Sequence, residues 1–262
     1  MKKVCLFLLA ALMLSACGSV PMTGRKQLLL VSDDEVIAAS MAQYGEYIKT
    51  APISTDKTKT AMVVRVGQKI AAATEAYLKQ NGLESEIANL QWEFNLVKED
   101  DVNAFCMPGG KIVVYEGLLP LVASDDELAV VLGHEVSHAV AKHSNERMSQ
   151  ELLAQYGAAA VGQVLSSKSE EVQNIGNTVF GLGSQLGVML PYSRKHEYEA
   201  DLMGLVLMSL AGYDPNAAVT FWQKMSAQGS AQPEIISTHP SDANRISEIE
   251  RHLPEVQQYR KQ

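Results

Sequence analysis

The sequence has no cluster of basic residues, no internal repeat and no long linker. Its 30 Asp and Glu residues outnumber its 22 Lys and Arg residues, and the formal net charge is -8. Because proteins that bind nucleic acid present a basic surface to the phosphates, nucleic acid is excluded as a partner. Hydrophobic residues still make up 47% of the 262 residues, which is enough for a sizeable core in one domain.

Cysteine is also scarce, with three residues in the whole chain. Cys5 lies in an N-terminal leader and Cys17 follows the end of that leader, so Cys106 alone remains for the folded domain. An intramolecular disulfide is therefore excluded. We expect Cys106 to be a buried thiol, and a nucleophilic cysteine is the less favoured alternative.

The first residues have the pattern of a leader that is removed. Lys2 and Lys3 precede an apolar stretch, residues 4–14, which is too short to cross a bilayer as a helix. The motif Leu14-Ser15-Ala16-Cys17 resembles the lipobox of bacterial lipoproteins, in which the cysteine carries the lipid after cleavage. The alternative is a plain secretory signal beside a chance cysteine. Since Gly18 and not Asp follows, the resemblance implies release to the outer membrane.

These features predict three segments. Residues 1–16 are a lipoprotein signal peptide, residues 17–30 are a lipidated tether, and residues 31–262 form a single domain. The predicted location is the bacterial cell envelope, most plausibly the outer membrane facing the periplasm, with the lipid as the membrane anchor.

The periodicity predicts an α+β fold that is mostly α-helical. Residues 91–97 alternate polar and apolar side chains, residues 112–115 are β-branched and aromatic, and a Pro108-Gly109-Gly110 turn separates them. We expect a small antiparallel sheet there. Helices are predicted on both sides of it, from Ser32, over 55–80, over 128–143, over 193–210, after Asp214 and from Ser241.

Two stretches rich in Ala and Gly, residues 151–165 and 172–190, separate the predicted helices. Small residues let helices approach closely, which is typical of helix pairs in membranes. Polar Gln and Asn residues interrupt both stretches, however, and this favours a helical hairpin in water over a membrane-facing pair.

The segment His134-Glu135-Val136-Ser137-His138 matches the H-E-x-x-H motif inside a predicted helix. Residues four apart lie on one face of a helix, so both imidazoles can reach one zinc ion. Glu135 can lean over the same site without binding the metal and act as general base and then as general acid. Two surface histidines are the alternative.

Zinc in a peptidase needs a third protein ligand and a position left for water. Ala141 and Ser144 exclude the metzincin pattern. Glu197 can bind zinc, and Asp201, one helical turn on, can orient a ligating histidine; the alternative is a solvated helix face. The candidates for the third ligand are His143, His196, Glu197, Glu199, Asp201, His239 and His252.

The combined motifs resemble the zinc peptidase family of the CAAX prenyl proteases and HtpX-like heat-shock proteases, and especially its periplasmic lipoprotein and β-barrel assembly-enhancing members. The matching segments are the H-E-x-x-H motif, Ser193 to Asp201, Asp101 to Phe105, Pro108 to Tyr115 and Thr238 to Ser241. The resemblance implies a zincin-type active-site helix beside the sheet, with one Zn²⁺ on His134, His138 and Glu197 and with Asp201 behind them. In the assembly-enhancing members the histidine that matches His239 lies at the metal and can fill the open position. The alternative role for His239 is to stabilise the oxyanion.

The sequence therefore predicts a zinc endopeptidase that hydrolyses unfolded or misassembled envelope proteins. We expect an extended peptide to pair with the strand at residues 111–115. The alternative is an assembly factor for outer-membrane proteins, associated with the assembly machinery, in which His239 closes a latent zinc site. The many membrane spans and the helical repeat domain found in parts of the family are not expected here.

Overall fold

A computed structural model describes residues 17–166, 193–227, 239 and 244–261. The predicted signal peptide, residues 1–16, lies outside the described residues, and so does the second stretch rich in Ala and Gly, residues 172–190. The side chain of Cys17 also lies outside the description.

Helices make up most of the described part of the chain. In order they are α1 Asp33–Thr50, α2 Lys57–Gln80, α3 Glu84–Ile87, α4 Asp125–Val140, α5 His143–Ser166, α6 Arg194–Leu210, α7 Ala217–Ser226 and α8 Arg245–Val256. Short 3₁₀ helices follow at Glu116–Leu121 and Gln257–Lys261. The predicted α+β class, mostly helical with small sheets, is confirmed.

The larger sheet contains β3 (Glu93–Val97), β4 (Ala104–Met107) and β5 (Lys111–Tyr115), in the spatial order β3-β5-β4. The predicted turn at residues 108–110 is present, and it joins β5 in an antiparallel hairpin to β4, a strand that the sequence analysis did not predict. β5 inserts between β4 and β3 and runs parallel to β3, so the sheet is mixed and the expectation of an antiparallel sheet fails for that pair. Because β5 is paired on both sides, the predicted pairing of a peptide with residues 111–115 is wrong; β4 and β3 are the edges.

The N-terminal segment packs against the domain. β1 (Cys17–Ser19) and β2 (Lys26–Leu28) form an antiparallel hairpin. Val20 is 2% exposed and belongs to the main hydrophobic core. The residues expected to act as a tether are therefore held in place by apolar burial, which favours packing over free solvation.

The helix that carries the H-E-x-x-H motif begins and ends three residues earlier than predicted. Ser124 caps its first turn by accepting a hydrogen bond from the amide of Glu127, as the capping pattern indicates. The helix ends at Val140 because Lys142 adopts a left-handed φ of 56°. His143 begins the next helix, α5, so its side chain approaches His138 from a second helix and not from α4.

Helices α4 and α6 cross at two glycines. A Cβ on Gly133 would lie 2.9 Å from the carbonyl oxygen of Gly204, and one on Gly204 would lie 2.8 Å from the amide nitrogen of His134. Both distances are shorter than side chains tolerate, so glycine is required for this approach. The close crossing brings α6 within reach of the two histidines of the motif. Among the described residues, no helix combines the length and the apolar character needed to cross a membrane.

Candidate metal centre and active site

Four buried side chains from three parts of the chain point at one another. His134 and His138 come from α4, Glu197 comes from the first turn of α6, and His239 comes from the segment before α8. One ligand atom from each lies within 4.8 Å of all the others. No other such group of His, Cys, Asp or Glu occurs in the part of the chain that the structure describes.

The spacing of these atoms fits a tetrahedral ion. The Nε2 atoms of His134 and His138 are 3.0 Å apart, and His134 Nε2 lies 3.2 Å from His239 Nδ1. Glu197 oxygens lie 3.3 Å from His134 Nε2 and 3.4 Å from His138 Nε2. Ligands at about 2.0–2.1 Å from zinc in a tetrahedron are about 3.3 Å apart, so the cluster has the size of a zinc site.

The hydrogen bonds on the far sides of the rings support this fit. His134 Nδ1 is 2.9 Å from Asp201 Oδ1, and His138 Nδ1 is 2.9 Å from His143 Nδ1. When both Nδ1 atoms donate outward, the two neutral rings direct Nε2 lone pairs at each other. Two lone pairs at 3.0 Å repel unless a proton or a metal ion lies between them. The residues present therefore fit a bound cation.

The electrostatics also favour a cation. Burial alone would raise the pKa of Glu197, but the imidazoles of His239, His134 and His138 hold it well below its usual range, so the carboxylate is ionised. Burial lowers the pKa of His134, yet hydrogen bonds to Asp201 and Glu197 outweigh this and raise it to about 9. The carboxylates thus stabilise positive charge at the centre of the cluster.

The outer nitrogen of His134 is held by a buried ion pair. Arg245, the first residue of α8, donates to both oxygens of Asp201 at 2.8 and 2.7 Å. Its Nη1 lies 3.4 Å from Glu197, and its guanidinium stacks 3.5 Å from the centre of the Trp222 ring. Arg245 therefore places one positive charge beside the two carboxylates that contact His134.

The outer nitrogen of His138 is held differently, by His143. The other ring nitrogen of His143 lies 3.0 Å from Glu199 Oε2, and this carboxylate also binds Thr23 and Arg25. Burial lowers the pKa of His143 to about 4, so the ring is neutral. His143, a candidate third ligand, thus lies behind a ligand and not in the cluster.

The remaining candidates lie outside the cluster. His196 is buried and pairs with Glu146 at 3.0 Å, and its ring stacks on that of His143. His252 is partly exposed on α8, 3.9 Å from Glu255. The structure therefore brings together four of the sequence-predicted residues and separates His143, His196, Glu199 and His252 from them.

Glu135 lies beside the cluster and does not join it. Its side chain is buried, and burial raises the pKa of its carboxyl group. The carboxylate accepts a hydrogen bond from the backbone of Cys106 in β4, and Oε1 lies 3.4 Å from His239 Nε2. Oε1 makes no hydrogen bond among the described residues, so an acceptor is left for a group inside the site.

The model of peptidase family M48 matches residues 60–253, well over half of the chain, including both histidines of the motif and Glu197. The chain belongs to peptidase family M48. The prediction of a metalloendopeptidase is confirmed by this match together with the cluster of four possible ligands.

Curated relatives of this M48 peptidase fall into two groups. The mitochondrial metalloendopeptidase OMA1 of Schizosaccharomyces pombe is 35% identical and covers 91% of this chain and 67% of its own length. That of Arabidopsis thaliana is 41% identical, covering 64% of this chain and 33% of its own length. The beta-barrel assembly-enhancing protease of Yersinia pestis is 27% identical, covering 90% of this chain and 47% of its own length. The chain thus spans only part of each relative.

These relatives correct the predicted location. The sequence predicted an outer-membrane lipoprotein facing the periplasm, but relatives at 35% and 41% identity are mitochondrial enzymes, and the bacterial one matches at 27%. The prediction of a bacterial outer-membrane location is therefore wrong. It rested on a positive and apolar leader, a pattern that different targeting signals share.

Cys106 in this M48 peptidase is free and buried, as expected. Burial raises the pKa of its thiol well above the usual range, and the neighbouring Glu135 adds to this effect. A thiolate is therefore disfavoured, and the nucleophilic alternative has no support in the geometry.

Sequence reasoning missed Arg245 and Arg25. Arg245 had a local signal, because it shares the apolar face of α8 with Ile249 and Val256, where a lone charge needs a buried partner. Arg25 had none. It lies in the loop between β1 and β2, and its partners Glu146 and Glu199 are more than a hundred residues away in the chain.

Proposed function

We propose that this M48 peptidase is a zinc-dependent endopeptidase in which His134, His138 and Glu197 hold the ion and Glu135 is the catalytic base. The observation that carries the proposal is the apposition of the two Nε2 atoms at 3.0 Å beside an ionised Glu197. Zinc is the ion that best suits two imidazoles and one carboxylate in a tetrahedral arrangement.

Each side chain has a separate task in peptide hydrolysis. When bound, zinc supplies Lewis acidity that polarises the scissile carbonyl and lowers the pKa of water. Glu135, whose pKa is raised by burial, takes the proton of the attacking water and delivers it to the leaving amine. Asp201 orients His134 by accepting a hydrogen bond from its Nδ1–H group, and Arg245 keeps that carboxylate ionised and in place.

The sheet supports a preference for extended chains. β4 is an edge strand, and its residue Cys106 hydrogen-bonds Glu135 through the backbone. An extended peptide that pairs with such an edge is read mainly through its backbone. We therefore propose that the substrates are unfolded or misassembled polypeptides, with little demand on their side chains.

Glu135→Gln tests the catalytic assignment. The variant should keep its zinc, since Glu135 is not a ligand, and should lose cleavage of an unfolded protein by several orders of magnitude. Zinc content is measured on both proteins by elemental analysis. Cleavage at close to the wild-type rate would show that another group is the base.

Glu197→Ala tests the ligand assignment in the same assay. Zinc occupancy should fall sharply, because one of the three protein ligands is lost and its charge with it. Full retention of zinc in this variant would move the third ligand to His239.

A second function, an assembly or binding factor with a latent zinc site, is favoured by the position of His239. His239 is 2% exposed, and its Nδ1 lies 3.2 Å from both His134 Nε2 and Glu197 Oε1. Four protein ligands are typical of closed, structural zinc sites, whereas catalytic sites keep one position for water. In this state the protein would hold unfolded chains without cutting them.

His239→Ala separates latency from a catalytic role. If His239 closes the site, the variant should cleave an unfolded protein faster than wild type while its zinc content is unchanged. If His239 stabilises the oxyanion, the same change should slow cleavage. Equal rates on several substrates would remove His239 from both roles.

Lipid attachment at Cys17 stays a prediction of the sequence. It would place the N-terminal hairpin close to a membrane surface. The intact mass of the mature protein tests it, since acyl chains should be present in wild type and absent in Cys17→Ser.

A further inference from the structure

The outer nitrogen of His138 begins a chain of hydrogen bonds that ends in the N-terminal segment, residues 17–31. His138 Nδ1 lies 2.9 Å from His143 Nδ1, and His143 Nε2 lies 3.0 Å from Glu199 Oε2. Glu199 in turn accepts hydrogen bonds from Thr23 Oγ1 and, at 2.6 Å, from Arg25 Nε. The N-terminal segment therefore reaches a predicted zinc ligand through two intervening side chains.

Arg25 joins two carboxylates that belong to different helices. It binds Glu199 of α6 through Nε, and it binds both oxygens of Glu146 of α5 through Nη1 and Nη2, at 3.0 and 2.7 Å. The side chains of Arg25, Glu146 and Glu199 are 13%, 10% and 6% exposed. A bidentate guanidinium fits this planar arrangement, whereas the point charge of a lysine does not.

The two carboxylates serve two stacked histidines. His143 pairs with Glu199 and His196 pairs with Glu146, each at 3.0 Å, and the two rings stack with centroids 4.4 Å apart. Arg25, from the N-terminal segment, hydrogen-bonds both of these carboxylates. Without it, two neighbouring buried carboxylates would face each other without a cation, and both would tend to turn away from the histidines.

The direction of the hydrogen bonds matters for His138. A carboxylate only accepts, so Glu199 requires the proton of a neutral His143 to sit on Nε2. The Nδ1 atom of His143 is then an acceptor, and the Nδ1–H group of His138 donates a hydrogen bond to it. The Nε2 atom of His138 then carries a lone pair that points into the cluster of ligands, with the ring held in one orientation.

We propose that Thr23 and Arg25 are positioning residues of the metal centre, so that docking of the N-terminal segment sets the zinc affinity through Glu199, His143 and His138. The inference rests on the proposed function, because it takes His138 as a ligand. Linkage is reciprocal, so zinc binding also holds residues 17–31 on the domain. A pull on this segment, for example from a membrane anchor, weakens the metal site.

The test compares Arg25→Ala with a matched control, Arg65→Ala, in the full chain. Arg65 makes a bidentate pair with Asp125 in the first turn of α4, but this pair is solvent-exposed and lies outside the network around the ligands. Zinc affinity is measured by competition with a chelator. Arg25→Ala should bind zinc about 10–100-fold more weakly than wild type, and Arg65→Ala should match wild type.

Two milder variants guard against a loss of folding in Arg25→Ala. Thr23→Val removes one hydrogen bond to Glu199 and should weaken zinc binding less than Arg25→Ala does. Arg25→Lys keeps the positive charge but loses the bidentate guanidinium, so its zinc affinity should lie between those of wild type and Arg25→Ala. The visible spectrum of the cobalt-substituted proteins should shift in the same order, because it reports the geometry of the ligands. Circular dichroism shows that each variant is folded.

Hydrogen exchange supplies a readout that does not depend on activity. Zinc should slow exchange of the amides in residues 17–31 in wild type and in Arg65→Ala, and it should lose this effect in Arg25→Ala. If all the N-terminal variants match wild type in zinc affinity, cobalt spectrum and hydrogen exchange, this inference is wrong, while the proposed function still stands. Failure of the wild-type chain to bind zinc would overturn the proposed function and this inference together.

Discussion

The two histidines of the motif share one helix, yet their outer nitrogens are held by opposite ends of the chain. The Nδ1 atom of His134 is hydrogen-bonded to Asp201, which in turn binds Arg245 of α8. The Nδ1 atom of His138 is hydrogen-bonded to His143, which connects through Glu199 to Arg25 of the N-terminal segment. One side chain, Asp201, connects His134 to Arg245, whereas two side chains, His143 and Glu199, connect His138 to Arg25. We expect the shorter connection to fix its histidine more firmly.

Burial separates the two arrangements further. Arg245 is 2% exposed and lies against the face of Trp222, whereas the side chain of Arg25 is 13% exposed and lies at the edge of the domain. A buried charge that loses its partner costs more than one that water can reach. We therefore infer that the C-terminal side is a permanent part of the centre and that the N-terminal side is a part that can be released.

The largest expected loss of stability comes from removing the buried ion pair that Arg245 makes with Asp201. Arg245→Met keeps the length of the side chain but leaves Asp201 and Glu197 without their guanidinium. We expect the free energy of unfolding of the metal-free protein to fall by about 3–5 kcal/mol, as measured by urea denaturation. Zinc at saturating concentration should restore part of this loss, because the cation replaces the missing positive charge.

Arg25→Ala provides the comparison in the same measurement. Its loss of stability should be smaller, since Arg25 lies at the edge of the domain, where removing its side chain admits water to the two carboxylates. Equal losses in the two variants would contradict the assignment of a permanent side and a releasable side.

The second prediction concerns the groups that touch the ligands. Asp201→Ala should weaken zinc binding by about 10–100-fold, and His143→Ala should weaken it by less. An ionised carboxylate raises the basicity of the ring that it holds more than a neutral imidazole does. Zinc affinity measured by chelator competition ranks the two variants.

A double-mutant cycle sharpens the comparison. Once His143 is removed, Arg25→Ala should have little further effect on zinc affinity, because the route from Arg25 to His138 is already broken. After Asp201→Ala, Arg25→Ala should keep its full effect. Additive losses of affinity in the first pair would show that Arg25 acts by another route.

Much of the metal centre could be predicted from local patterns. The spacing of His134 and His138, the step from Glu197 to Asp201 and the cap at Ser124 all act within one or two turns of a helix. His239 was placed by family resemblance, since no local pattern connects it to the motif.

The network behind the ligands could not be predicted in the same way. His143 was weighed as a ligand because the helix was expected to continue to it, but the left-handed Lys142 redirects the chain. Arg25 meets Glu146 and Glu199 across more than a hundred residues, where neither periodicity nor spacing carries a signal. The insertion of β5 between β3 and β4 is a long-range outcome of the same kind.

The smallest expected effect is a pH dependence on the N-terminal side. Burial alone would raise the pKa of Glu146, but its bonds to His196 and Arg25 lower it to about 2. A carboxyl group in an unfolded chain has a pKa of about 4.3. Because the folded pKa is the lower one, this group stabilises the fold above about pH 4.3, and its contribution is lost as the pH falls towards about 2.

Glu146→Gln should therefore be less stable than wild type at pH 7, and the difference should shrink as the pH falls from about 4.3 towards 2. Urea denaturation of the metal-free proteins at several pH values measures this difference. Glu46→Gln is the control, because Glu46 forms an exposed ion pair with Lys49 within one helix, and such pairs contribute about 0–1 kcal/mol. A difference at Glu146 that is the same at pH 7 and at pH 3 would mean that the Arg25 side contributes through packing and not through charge, and the contrast with the buried Arg245 side would then rest on burial alone.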